Sequence, residues 1–291
     1  MDRRRARGVG VVVLAAVLSV AGCGGEADNP IVIEGEPPAT PYSGPLRVPF
    51  KDADTDDSES PKALMAESGA AGRALECDGD IYSGGRGDRW SEGDGGSSPE
   101  GGLKAYFDIE QPDVPQEGYR VERTARDRVL YSLDVRGRTK VAVIVAKDQP
   151  HRPGWGPEAS ASCDPAELPR SFTDRQEYEI WTDENGDRVP VSLLSSSEGA
   201  AHCDWQKAHF LGMGRGSSHE LYARDPDGVL PPGMLTSRYD GDATLPPDAR
   251  DTGYRLDDWR LWLAADGSKT YVRTPRGVEA WPRVRRGMGC D

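Results

Sequence analysis

The sequence predicts an α+β protein of mainly antiparallel β structure, in which two small disulfide-stapled domains follow a disordered tether. Three observations predict this fold class. Runs of alternating apolar residues are separated by turns that contain Gly, Asn or Asp, as in antiparallel sheets. Four cysteines lie in the same part of the chain, between residues 77 and 290. The segment before them has many prolines and acidic residues and few apolar ones.

The chain begins with the pattern of a cleavable export signal. Four arginines lie among residues 3–7, and an apolar run follows over residues 9–21. This run is too short to cross a hydrocarbon core of about 30 Å as a helix. A positive start, a short apolar stretch and small residues at its end are typical of a signal peptide. We therefore predict that residues 1–22 are a signal peptide that is removed on export.

Cys23 directly follows the small residues that end this apolar run. The tetrapeptide Val20-Ala21-Gly22-Cys23 resembles the lipobox of bacterial lipoproteins. The resemblance implies that the Cys23 thiol, a soft nucleophile, receives a diacylglycerol and that Cys23 becomes the N-terminus. It also implies a location on the extracytoplasmic face of the cell membrane, because two acyl chains anchor a protein stably. The alternative is an ordinary signal peptide with a chance cysteine.

Residues 23–72 are predicted to form a disordered, acidic, proline-rich tether. Prolines recur throughout this segment and acidic residues cluster at 52–59, so it buries too little apolar surface to offset the entropy of ordering. A chain of this length has a mean span of roughly 40 Å or more. We expect the tether to hold the folded part away from the membrane. The alternating aspartates at its acidic end lack the glycine and the final glutamate of a calcium loop.

The next segment, residues 73–172, is predicted to be an N-terminal α+β domain. A helix is expected to begin at Ser98-Pro99, with serine as the cap and proline in the first turn. Three strands are expected after the helix, at residues 119–121, 129–135 and 141–145. The last of these is apolar on both faces, which indicates a central strand covered on both sides.

Residues 173–291 are predicted to be a C-terminal, mainly β domain. Asn185-Gly186 is typical of a tight hairpin turn. Strands are expected at residues 177–182, 188–194, 219–224, 259–263, 269–274 and 278–281. Trp259 and Trp262 fall on opposite faces of one predicted strand, so one of them is available for a surface or a cleft.

The four later cysteines are predicted to form two disulfides. Three pairings are possible, and the strand pattern between the cysteines favours Cys77 with Cys163 and Cys203 with Cys290. Each bridge would close a loop of just under ninety residues, which contributes roughly 4 kcal/mol in the chain-entropy description. A bridge between Cys163 and Cys203 would contradict the division into two domains.

Several short runs resemble a group of lipoproteins of high-GC Gram-positive bacteria that has no assigned activity. The runs are WTDENG (181–186), HCDW (202–205), YARDP (222–226), DTGY (251–254) and EAWP (279–282). The resemblance supports the compartment and implies no reaction.

Charge and motifs exclude several classes of function. Residues 1–22 hold four arginines and one aspartate, so the remaining chain has 32 basic and 48 acidic residues and a net charge of −16. Such a chain is repelled by nucleic acid, and no nucleic-acid partner is predicted. The sequence has no nucleophile elbow, Walker loop or C-x-x-C pair. The single Asp251-Thr252-Gly253 lacks the second copy that aspartic protease chemistry requires.

No metal site, cofactor or catalytic residue is predicted. His202 and His209, together with Glu220, were the best metal candidates, but zinc requires three or four ligands of defined geometry and Cys203 is assigned to a bridge. The sequence therefore favours a lipid-anchored, non-catalytic binding or interaction module of the cell envelope. Its expected partners are the membrane, through Cys23, and an envelope protein or glycan. The alternatives are an envelope hydrolase that uses paired carboxylates, and a structural or sequestering envelope component.

Overall fold

The computed structural model describes residues 30–33, 38–49, 60–86 and 90–287. The main elements of this part of the chain are three antiparallel sheets, of five, three and four strands. The predicted signal peptide, Cys23 and Cys290 lie outside the described residues. None of the described helices combines the length and the apolar character that a membrane crossing requires.

The first sheet and its helices come from the N-terminal half of the chain. Its strands are β1 (Ile81–Arg86), β2 (Arg120–Thr124), β3 (Arg128–Val135), β4 (Arg138–Gln149) and β5 (Arg152–Cys163). The helices are α1 (Pro61–Ala74), α2 (Pro99–Ala105), which continues into a π-helical turn (Tyr106–Glu110), and α3 (Arg170–Thr173), which follows a 3₁₀ turn (Pro165–Glu167). The strand order is β1-β5-β4-β3-β2, and all neighbours are antiparallel.

The central position of β4 confirms the prediction from its two apolar faces. Val141, Val143 and Val145 pack with the buried side chains of α2 and its π-helical turn. Ala142 and Ile144 point to the opposite face, where they pack with alanines of α1. Since helices cover both faces of the sheet, each residue of this run is buried.

Helix α2 begins where the sequence predicts, and Gly102 sets its distance from the sheet. Ser98 caps the helix by accepting a hydrogen bond from Gly101 N at 3.1 Å. A methyl group on Gly102 would collide with Val145 and with the backbone of Trp155. The glycine that weakens α2 as an isolated helix therefore allows it to lie close to β4 and β5.

The prediction of a disordered tether over residues 23–72 is wrong for many of the residues of this segment that the structure describes. Ser60 caps α1 by accepting from Ala63 N at 3.2 Å, and the predicted boundary at residue 73 falls within this helix. Leu46, Val48, Ala70 and Ala71 of this segment are buried in one cluster with residues of the sheet and with Ala74 at the end of α1. Alanine has little apolar surface, but it permits close packing of a helix on a sheet, which composition alone does not reveal.

Two strands of the first sheet were not predicted. After its first two residues, β1 contains Gly and Ser in place of large apolar residues, and β5 covers a stretch rich in Pro, Gly, Ser and Ala. Ala159 and Ala161 of β5 face α1, whereas the intervening Ser160 is buried on the other face. The alternation is present in β5, but small side chains conceal it from a pattern based on large apolar residues.

The second half of the chain contains the other two sheets. The three-stranded sheet has β6 (Leu194–Glu198), β7 (His209–Met213) and β8 (Glu220–Arg224), and the four-stranded sheet has β9 (Arg250–Leu256), β10 (Trp259–Leu263), β11 (Lys269–Thr274) and β12 (Gly277–Pro282). The core shared by the two sheets consists of Trp181, Val189, Leu194, Leu211, Tyr222, Leu261, Val272 and Trp281. β8, β10, β11 and β12 confirm four predicted strands. Trp259 and Trp262 pack in different clusters, which confirms their opposite faces.

The strands predicted at 177–182 and 188–194 do not form. Asn185-Gly186 makes the expected turn, but Thr182 and Arg188 pair only at a single bridge. Thr182 instead exchanges two backbone hydrogen bonds with Arg255 of β9, at 2.7 and 2.8 Å. Pro190, which has no N–H to donate, prevents a continuous ladder after the turn.

Cys77 and Cys163 form the predicted disulfide, with an S–S distance of 2.01 Å. The bridge joins the residue that ends β5 to the segment between α1 and β1. Cys203 is also disulfide-bonded. Its pairing with Cys290 stays a prediction, because Cys290 lies outside the described residues.

We expect Gly102→Ala to destabilise the protein by about 1–3 kcal/mol, because the added methyl group overpacks the contact between α2 and the sheet. Gly101→Ala is the control, because it changes the helix propensity of α2 in the same direction and its methyl group would lie 3.3 Å from the nearest atom, Gly96 Cα. Denaturant unfolding of both variants measures the difference. Equal stability of the two variants would contradict the close packing of Gly102.

Candidate functional site

A buried carboxylate joins the two halves of the chain directly after β5. Asp164 is 1% exposed. Its Oδ1 accepts hydrogen bonds from Ala166 N at 2.9 Å and Val191 N at 3.0 Å, and its Oδ2 accepts from Ser192 N at 3.2 Å. A buried carboxylate requires such donors, so Asp164 holds residues 191–192 of the second half against the first half.

Arginines from the second half add further contacts across the same junction. Arg188 donates to the carbonyl oxygen of Leu168 and, at 3.0 Å, to Thr173 Oγ1. Arg215 lies 3.3 Å from the Asp80 carboxylate. These contacts and the Asp164 carboxylate position the walls of a cavity that lies between the halves.

This cavity, called the inter-half groove below, has a volume of about 1590 Å³. Its lining residues come from segments 78–79, 135–140, 166–174, 178–190 and 256–259, with Arg215 and Pro275. The two halves of the chain therefore both contribute to its walls. Of the described residues that line the groove, seven are acidic and six are basic, so the groove carries many charges but little net charge.

One wall of the groove is a charge network beside the Cys77–Cys163 disulfide. Lys140, whose side chain is 5% exposed, donates to Glu167 Oε2 at 2.5 Å. Glu167 also accepts from the backbone N–H groups of Asp78 and Gly79, both at 2.9 Å. The hydrogen bond from Arg138 holds the pKa of Asp78 below its ordinary value. These charges are paired with one another and fix the shape of the wall.

A second wall carries a carboxylate bound by a histidine and a serine. Glu179 Oε2 lies 2.8 Å from His209 Nε2 and accepts a hydrogen bond from Ser196, which in turn accepts from Trp181 Nε1 at 2.8 Å. Burial raises the pKa of Glu179, but the bonds from His209 and Ser196 outweigh it, so the net pKa is lowered. Because Glu179 contacts both His209 and Ser196, these three residues do not have the order of a Ser–His–carboxylate triad.

Two aromatic side chains line the groove near this carboxylate. Tyr178 is 42% exposed. Trp259 is half-buried, and its ring packs edge-on against Trp281 and His209, with centroids 5.8 and 5.9 Å apart. These contacts fix the orientation of the Trp259 ring, which is a property of rigid stacking platforms.

The structure separates the residues considered as metal ligands. His209 contacts Glu179, Glu220 forms ion pairs with Arg283 and Arg286, and His202 is exposed in a 3₁₀ turn (Ala201–Cys203). Among the described residues, one group has the proximity that a metal requires, and it consists of Cys77, Cys163 and Glu167. Its two sulfur atoms form the disulfide and so are not thiolate ligands.

Sequence patterns did not identify the residues that line the groove. Glu179, Arg188 and Tyr178 lie in a segment without regular strands, and the surfaces that face them come from distant parts of the chain. The one available signal was the pair Trp259 and Trp262, since one of the two was predicted to face a surface or a cleft. Comparisons with protein-family models, with curated proteins and with solved structures found no match to this chain.

We expect Asp164→Asn to destabilise the protein by about 1–3 kcal/mol, because the amide replaces one acceptor oxygen with a donor among backbone N–H groups. Asp174→Asn is the matched control, since Asp174 is exposed and ten residues further along the chain. Thermal or denaturant unfolding compares the two variants. A loss of stability no greater in Asp164→Asn than in Asp174→Asn would contradict the role of Asp164 at the junction.

Proposed function

We propose that this protein is a membrane-anchored, extracytoplasmic binding protein whose inter-half groove holds a glycan of the cell envelope without chemical turnover. The observation that carries the proposal is the groove itself, a large polar cavity with two aromatic rings and a set of mutually paired charges.

The size of the groove favours a segment of a polymer as the ligand. Pockets for small molecules have volumes of about 300–1,000 Å³ and are mostly apolar. The groove, at about 1590 Å³, is larger, and half of its lining residues are charged. A ligand with many hydroxyl groups suits such a surface, because carboxylates and guanidinium groups supply acceptors and donors along its length.

The chemistry of the lining favours a glycan over a peptide. Extended peptides commonly add to an open sheet edge or place apolar side chains in pockets. The lining segments of the groove offer many charged side chains and two separate aromatic rings. Tyr178 and Trp259 suit the apolar face of a sugar ring, while neighbouring carboxylates such as Asp257 and Asp258 suit its hydroxyl groups.

The charge state of the groove opposes the hydrolase alternative. A glycosidase needs one carboxyl group that stays protonated as a general acid, and therefore a raised pKa. In the groove, Asp78 and Glu179 have lowered pKa values, since both carboxylates accept hydrogen bonds from basic partners. These two carboxylates suit binding better than acid catalysis.

The proposed location depends on Cys23, which lies outside the described residues. Its resemblance to a lipobox cysteine supports a diacylglycerol anchor and an extracytoplasmic location. The Cys77–Cys163 disulfide supports an oxidising compartment, because such bridges persist mainly outside the cytosol. We propose in addition that Cys203 pairs with Cys290, so that each half of the chain is a domain with its own bridge.

We expect Trp259→Leu to weaken retention of the protein on isolated cell-wall glycan at least about tenfold, because the variant loses the stacking platform. Trp262→Leu is the matched control, since it makes the same change on the opposite face of β10. Tyr178→Ala, at an exposed position, tests the same site without disturbing a buried residue. Co-sedimentation with the glycan gives the affinities. Equal retention of all four proteins, wild type included, would contradict the proposal.

We expect Cys23→Ser to lack the diacylglycerol that the wild-type protein carries, because serine provides no thiol for its attachment. Fractionation and intact-mass measurement of both forms test this expectation. An unmodified Cys23 and a retained leader in the wild-type protein would contradict the proposed anchor.

A further inference from the structure

Arg170 and Arg188 both line the groove. Arg188 is half-buried and held in place by its hydrogen bonds to Leu168 O and Thr173 Oγ1. Arg170, at the start of α3, is exposed and also lines the groove. Two of the remaining basic residues that line the groove, Arg138 and Lys140, form ion pairs with groove carboxylates. Among the described residues, no carboxylate forms an ion pair with Arg170 or Arg188.

The Arg188 guanidinium is bound to Leu168 and Thr173, which flank Arg170 along the chain, so the two positive charges lie on the same side of the groove and repel each other. Burial lowers the pKa of Arg188, and the charge of Arg170 lowers it further. Asp174 and Asp164 act in the opposite direction without restoring the ordinary pKa. An anion placed between the two arginines would relieve this repulsion.

We propose that Arg170 and Arg188 form an anion subsite of the groove, which selects glycans that carry an acidic group, either a carboxylate or a phosphate. This inference rests on the proposed glycan-binding function and adds to it the charge class of the ligand. A guanidinium group matches both kinds of acid through two parallel hydrogen bonds. Arg188 is positioned for this contact, since the two bonds that hold it leave other N–H groups free to donate.

The rest of the groove limits how many acidic groups the ligand carries. Seven acidic residues line the groove, two of them, Asp257 and Asp258, on the exposed turn before Trp259. A densely anionic polymer would meet these carboxylates and be repelled. A glycan with isolated acidic groups places one group at the arginine pair and neutral sugar rings along the acidic surfaces. The observations therefore favour a sparsely charged glycan.

Titration calorimetry of the intact protein with four synthetic probes tests the inference. The probes are a neutral hexamer of N-acetylglucosamine, an alternating hexamer in which N-acetylmuramic acid supplies lactyl carboxylates, the neutral hexamer phosphorylated at one 6-hydroxyl, and a hexaglutamate peptide. We expect one or both acidic hexamers to bind about tenfold or more tightly than the neutral one. The acidic hexamer with the higher affinity shows whether the subsite prefers a carboxylate or a phosphate.

Variants separate the anion subsite from the rest of the groove. Arg170→Gln and Arg188→Gln should each remove the preference for the acidic hexamer while the neutral hexamer binds as before. Arg126→Gln, at an exposed position outside the groove, makes the same charge change and should keep the preference. Arg170 is exposed and makes no side-chain hydrogen bond within the described part of the chain, so its variant stays informative where Arg188→Gln fails to fold.

Two results would overturn the inference while leaving the proposed function intact. One is equal binding of neutral and acidic hexamers, and the other is a preference that survives in both Arg170→Gln and Arg188→Gln. Binding of the peptide alone would overturn both the inference and the glycan ligand. Absence of binding by every hexamer, together with no effect of Trp259→Leu on retention by cell-wall glycan, would overturn the proposed function itself.

Discussion

The arrangement of the two halves depends on one buried carboxylate. Asp164 follows the last residue of β5 and accepts hydrogen bonds from its own 3₁₀ turn and from the backbone of residues 191–192. The neighbouring Cys163 is fixed by the disulfide to Cys77 and by pairing with Ile81 of β1. The disulfide and the pairing of β5 with β1 thus position the Asp164 carboxylate. This carboxylate in turn positions the backbone of residues 191–192 in the second half of the chain. The groove exists because this junction is held at one geometry.

The polar groups of the groove fall into two classes with different roles. Lys140, Glu167 and Asp78 satisfy one another, as do Glu179 and His209, so they maintain the shape of the walls. The two aromatic rings and the arginine pair also line the groove, and among the described residues no carboxylate forms an ion pair with either arginine. A binding site whose supporting groups are already fixed needs little reorganisation when a ligand arrives. This division is the physical basis of the binding function that we propose.

The sequence predicted the parts of the fold that large apolar side chains determine. The sequence showed the run of β4 that is apolar on both faces, the serine cap of α2 and the alternation in β10. It also favoured the Cys77–Cys163 bridge. Helix α1 and strand β5 were missed because alanine, serine and glycine form their buried faces. The site was missed for a different reason. Tyr178, Arg188 and Trp259 line one groove only through tertiary packing, and the segment that contains Tyr178 and Arg188 has no periodic pattern to identify it.

Photo-crosslinking in living cells tests most directly whether the groove binds an envelope glycan. A photoreactive amino acid placed at Tyr178, in the groove, is compared with one at Val121, on an exposed edge of the first sheet; the two residues are 42% and 43% exposed. The account predicts a glycan-containing adduct from position 178 and little or none from position 121. Equal labelling at the two positions, or no glycan adduct from position 178, would contradict it.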